Sequence, residues 1–157
     1  MPQKLSSKKE KFLQVVRAFN QNGIRFLIAG ARALSFYGYD RFTRDYDICI
    51  TPDPHEIEKI LDILNQLEFR FSEPVDATMI SQSINVHLVA EVDIDLLIHP
   101  KGFSFEEAWN QRVSVKEEGC ELYFVSKEDL ITMKEAVGRP QDKLDVQKIK
   151  QVVNDEV

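Results

Sequence analysis

"TRDYDICI", residues 43–50, reads as a β-strand by its aliphatic and aromatic residues, yet it carries two carboxylates. Side chains alternate along a strand, so Asp45, Asp47 and Cys49 face one way and Tyr46, Ile48 and Ile50 the other. Two acids on one side of an otherwise apolar strand repel each other and raise one another's pKa. Something in the molecule, or bound to it, has to offset that cost.

A second stretch repeats the arrangement. In "VDIDLLI", residues 92–98, Asp93 and Asp95 share one face while Val92, Ile94, Leu96 and Ile98 share the other. If the two strands are neighbours, three or four carboxylates converge within a few ångströms. A divalent cation relieves that conflict, because hard cations such as Mg2+ take carboxylate oxygens and keep positions open for water and phosphate. His55, His87 and His99 are scattered and pair neither with each other nor with Cys49 or Cys120, so no zinc pattern competes. Either Asp-x-Asp alone also suits a solvated edge strand or a capping turn. Two of them in strands rich in Ile, Leu and Val point to metal chemistry.

Upstream, "FLIAGARALSFYGYDRFTRD" (26–45) runs from a short apolar strand into Gly30 and directly into a helix start. Glycine lets backbone N–H groups approach a ligand, and a helix N-terminus favours phosphate. Arg41 and Arg44 follow, able to neutralise phosphate before the acidic strand begins. Tyr37, Tyr39 and Phe42 could stack on a base or pack a short helix.

Elsewhere the apolar spacing predicts helices over Ser7–Asn22, over the stretch following "TPDP" at 51–54, over 103–112, and in two late segments from Ser126 onward. Strands are expected at 25–29, 44–50, 84–89 and 92–98, with a hairpin at 113–125 around "EEG". The whole is an α/β (α+β) domain, a mixed sheet flanked by α-helices. With 157 residues and no repeat or linker, one domain over 1–157 is expected, its C-terminal helices from about 126 packing on it. A formal charge of −6 argues against a broad, non-specific grip on nucleic acid. No apolar run is long enough to span a membrane and the N-terminus lacks a secretory pattern, so a cytoplasmic location with reduced cysteines is expected.

The run "IAGARALSFYGYDRFTRDYDICI" (28–50) resembles the signature of the polymerase-beta-like nucleotidyltransferase superfamily. It is most similar to small bacterial proteins with "R-x-T-x-D-x-D" opening the acidic strand and a late "K-x-x-x-G-R-x-x-D-x-x-D" segment. Here these are Arg41, Thr43, Asp45 and Asp47, then Lys134, Gly138, Arg139, Asp142 and Asp145. Such proteins include minimal nucleotidyltransferases and nucleotidyltransferase-like toxin or antitoxin components. The resemblance covers roughly 25–148 and departs at Ala31, where the pattern has Gly or Ser.

The resemblance implies a Mg-dependent transfer of a nucleoside monophosphate from a nucleoside triphosphate, ATP by default, to a hydroxyl acceptor. The acceptor would be a protein, a transfer RNA end or a small molecule, the last as in aminoglycoside- and lincosamide-modifying enzymes. Asp45, Asp47 and Asp95 would be the catalytic and metal-binding residues, with two Mg2+ ions and Asp93 in reserve for Asp95. Gly30, Ala31, Arg41, Arg44, Lys134 and Arg139 would bind the nucleotide, and Asp142 and Asp145 would pair with these cations or fix the last helix. The alternative is a catalytically weak partner or regulator, bound to a cognate protein in a toxin–antitoxin or stress system.

Overall fold

The computed structural model describes residues 3–41, 43, 45–71 and 75–155, with side chains described between 8 and 152. Its elements are α1 (Gln3–Gln21), β1 (Leu27–Ala29), α2 (Gly30–Phe36), β2 (Asp45–Cys49), α3 (Pro54–Gln66), β3 (Arg70–Phe71) and α4 (Ala77–Ser81). There follow β4 (Asn85–Val89), β5 (Asp93–Leu97), α5 (Phe105–Asn110), β6 (Val113–Glu117), β7 (Cys120–Phe124), α6 (Lys127–Val137) and α7 (Pro140–Asp155).

Local chemistry sets several boundaries. The Asp53 carboxylate accepts from the His55 amide at 3.0 Å, and Pro54 fills the first helical position of α3. The Ser126 hydroxyl accepts from the Asp129 amide at 3.0 Å to open α6, which ends on left-handed Gly138. The sequence reading assigned no element to residues 70–83, where β3 is only two residues long and α4 is a short turn of helix capped by Asp76. Elements that short carry too little periodicity to be recognised.

The described strands form one mixed sheet in the order β3-β4-β5-β2-β1-β7-β6. β2 lies antiparallel to β1 and parallel to β5, so the two acidic strands are neighbours. Helices α1 and α3 cover the face that carries Ile48 and Tyr46, where Phe12 stacks on Tyr46 with ring centroids 3.8 Å apart. Phe19, Phe26, Leu34 and Ile60 are fully buried there, each stabilising the fold by about 1.5–3 kcal/mol. Cys49 and Cys120 are free and buried. The other face carries the aspartates, and α6 and α7, packed on each other, flank it. No helix among the described residues is long and apolar enough to cross a membrane.

Candidate active site

The carboxylates occupy two rows across the sheet. In one, Ala29, Asp47, Asp95 and His87 sit opposite one another on β1, β2, β5 and β4. In the other, Asp45 is opposite Asp93, and Thr43 braces Asp45 through its hydroxyl, 3.2 Å from the Asp45 amide. Neighbouring strands lie about 4.8 Å apart, so Asp47 and Asp95 meet on one face with little between them.

Gly30 determines how close Asp47 can come to the turn. The chain passes from β1 into α2 with Gly30 at φ +63°, the left-handed region. A Cβ at this position would collide with the Asp47 carboxylate. Glycine is therefore required for the backbone and for the close approach of the acid.

Electrostatics follow from that crowding. Burial, then the neighbouring Asp95 and Asp45 carboxylates, push the Asp47 carboxyl up from 3.8 to about 6, with Lys134 opposing the rise. Asp95 Oδ1 also lies 2.5 Å from Nδ1 of His87, and this contact raises the His87 pKa above its ordinary value.

Sequence reading set His87 apart from the other histidines and the cysteines and did not foresee its contact with Asp95. The signal was available in the hairpin: a three-residue connection between β4 and β5 places residue 87 opposite residue 95. The expected convergence of three or four carboxylates is also only partial. Among the described residues no group of three His, Cys, Asp or Glu side chains is assembled to hold a metal ion. Asp95 reaches His87, while Asp47, close enough to Asp95 for that carboxylate to raise its pKa, lies against the Gly30 turn.

A cleft of about 480 Å3 opens beside this row, within the size range of small-molecule sites. Gly30, Asp47, Asp95, Lys134 and Arg139 all line it, together with an apolar wall that includes Leu97, Met133 and Val137. His99 and Lys101, which the sequence reading did not single out, also reach it. Ala31 is buried within α2. Arg44 and Phe42 lie outside the described residues, while Tyr37 and Tyr39 pack against the core, the Tyr37 hydroxyl donating to the Val125 carbonyl at 2.7 Å.

The late motif folds into an ionic node at the cleft's edge. Asp145, wholly buried, accepts from Arg41 Nη1 and, at 2.8 Å, from Gln141 Nε2, and lies 3.0 Å from Lys134 Nζ. Burial alone would raise the Asp145 carboxyl; hydrogen bonds from Gln141, Lys134 and Arg41 overcome this and hold it low. Asp142 accepts from Arg139 Nε at 2.7 Å and from the Arg139 amide at 3.1 Å, and is likewise held low. Lys134 thus stands between Asp145 and Asp47, whereas Arg41 is turned to Asp145.

A nucleotidyltransferase is the class of protein that this sheet defines. The chain belongs to a family, DUF6036, described as nucleotidyltransferases of unknown function, whose model matches residues 4–156. No curated protein matches its sequence.

Among solved structures, the lincosamide antibiotic adenylyltransferase LnuA, bound to lincomycin, is similar with a TM-score of 0.62 at 12% identity, over 91% of this chain and 96% of that one. A Thermotoga maritima protein described as a nucleotidyltransferase gives 0.60 at 14% identity, over 91% and 92%. The antibiotic-resistance factor ANT(2'')-Ia gives 0.57 at 14% identity, over 97% and 85%. At such identities the likeness is one of fold.

Proposed function

We propose that the cleft binds a Mg2+–nucleoside triphosphate, ATP by default, and that the chain, acting as one domain, transfers the nucleoside monophosphate to a hydroxyl acceptor. The observation that carries this reading is the Asp47–Asp95 pair, in register on adjacent parallel strands beside Gly30 and open to a cleft that Lys134 enters.

The acidic row suits a hard cation. Its donors are carboxylate oxygens, and the raised Asp47 pKa marks a deficit of positive charge. Asp45, Asp47 and Asp95, with Asp93 in reserve, would hold up to two Mg2+ ions. When bound, Mg2+ supplies charge to the phosphates and lowers the pKa of the acceptor hydroxyl.

The chain's own residues then position and neutralise. Gly30 leaves room for the Asp47 carboxylate beside the turn, and Lys134 and Arg139 offset phosphate charge, with Arg41 and Arg44 as further cations of this set. Asp95, held by His87, receives the acceptor's proton as the acceptor oxygen bonds to the α-phosphorus. The bond from that phosphorus to the bridging oxygen breaks, and pyrophosphate leaves. The acceptor is a protein, a transfer RNA end or a small molecule; the last draws on the fold shared with an adenylyltransferase seen with lincomycin.

A second reading is a catalytically weak partner or regulator, bound to a cognate protein in a toxin–antitoxin or stress system of the cytoplasm. Two observations favour it: Arg41 and Lys134 are already bonded to Asp145, and Ala31 stands where the resemblance expects Gly or Ser. Thermal unfolding with each of four nucleoside triphosphates, with and without Mg2+, separates the two readings. A ligand at about 100 times its Kd adds about 2.7 kcal/mol, a shift of roughly 5–10 °C at this chain length. A Mg-dependent shift that Asp47→Ala removes, accompanied by pyrophosphate release, supports the enzyme. No shift with any triphosphate supports the partner.

A further inference from the structure

A second cleft, of about 380 Å3, lies on the face of the sheet opposite the carboxylates, between α1, α2 and the strands β2, β6 and β7. It is separate from the transfer site, because Tyr46 on its wall points away from the side of β2 that carries Asp45 and Asp47. Its surfaces are aromatic. Phe36 stacks on Phe124 with centroids 4.1 Å apart and planes 9° from parallel, and Phe36 remains 39% exposed. Large rings bury most of their area in a folded protein, so one left open on a concave surface has room for a partner.

The charges of the cleft do not cancel. Lys9 is committed to Glu117, with Nζ 2.5 Å from the carboxylate. The Arg32 guanidinium lies over the Tyr46 ring at 4.1 Å, and its Nε is shut off from solvent with no hydrogen-bond partner among the described residues. A desolvated donor without an acceptor is costly, and native structures leave few of them. One positive charge, aromatic walls and an unsatisfied N–H together describe a ligand: flat, aromatic and singly anionic.

We infer that this cleft binds a planar aromatic monoanion, its ring packed on the open side of Phe36 and its anionic group accepting from the Arg32 guanidinium. The inference does not depend on the transfer reaction, and its test leaves the aspartates aside. The probe is 2-naphthoate, titrated into the full chain and followed by amide NMR shifts, with neutral 2-naphthol as the matched control.

The expected result is saturable shifts at Arg32, Phe36, Tyr46 and Phe124. Binding should weaken about tenfold or more with R32Q and with 2-naphthol, the usual cost of removing one charged hydrogen bond. Because Arg32 also packs on Tyr46, F36A provides a second variant at the exposed edge, expected to weaken binding without unfolding the chain. Shifts centred on Asp47 and Lys134, equal binding by 2-naphthol, or full affinity in both R32Q and F36A would each overturn the inference.

Discussion

Asp47 and Asp145 are both aspartates withdrawn from water, and their carboxyl groups move in opposite directions. Asp145 is met by Arg41, Lys134 and Gln141, and stays charged well below the ordinary range. Asp47 meets two further acids and only a distant share of Lys134, and its carboxyl rises to about 6. Burial is common to the two; counter-charge is not. A satisfied buried acid is holding helices in place, whereas an unsatisfied one is stored electrostatic cost that a bound cation or phosphate complex can release.

The contrast can be broken most forcefully at Asp145. Replacing it by Ala leaves Lys134 and Arg41 facing a buried site without their partner, and a loss of about 3–5 kcal/mol is expected in urea unfolding. Asp145→Asn, which keeps the acceptor oxygen, should cost less. A loss below about 1 kcal/mol for the alanine variant would show that the node is not structural.

The opposite sign is expected at Asp47. Between 3.8 and about 6 the folded chain holds a proton that the unfolded chain has released, so this carboxyl favours folding at low pH and loses that benefit as pH rises through about 6. Asp47→Asn should therefore be more stable than the wild type at pH 7 by about 1–2 kcal/mol, discounted for partial exposure and coupling to Asp95. The difference should vanish near pH 4. Urea midpoints measured from pH 4 to 8 decide it, and a gap independent of pH would contradict the repulsion described above. At Asp142 and Asp145, whose carboxyls are held low, the contribution is present at neutral pH and is lost as pH falls below about 4.

Gly30→Ala sharpens the same contrast from the backbone side. A left-handed alanine costs about 1–2 kcal/mol, and its Cβ would displace the Asp47 carboxylate. The variant should combine a modest loss of stability with loss of any Mg-dependent nucleotide shift; a retained shift would mean that the close approach is dispensable. The smallest effect belongs to His87→Ala. His87 is half-exposed, so stability should stay within about 0.5 kcal/mol of wild type, while pyrophosphate release falls because Asp95 is no longer held. Unchanged turnover would remove His87 from the site.

Much of the sheet was legible in the alternation of residues 45–49 and 93–97, since period-two patterning identifies each strand and the face its acids share. That β2 and β5 lie side by side in parallel could not be read locally, because their pairing depends on β1 and β4 filling the flanking positions. His87 was legible in principle from hairpin parity and was missed by treating the histidines only as zinc ligands. β3 and α4 are too short for periodicity to announce them. The placement of Arg41 on Asp145 joins residues 104 apart, and no spacing rule reaches that far; motif order placed the two in one family pattern without saying which would bond.

That long-range bond also bears on how the chain is made. Arg41 precedes the acidic strand by only a few residues, while the carboxylate that anchors it lies in the last helix. During synthesis the acidic strand leaves the ribosome roughly a hundred residues before its anchor, a separation that favours late closure. A chain stopped short of α7 has its aspartates but lacks both Asp142 and Asp145. The arrangement makes synthesis through α7 the condition for seating Arg41 on its carboxylate.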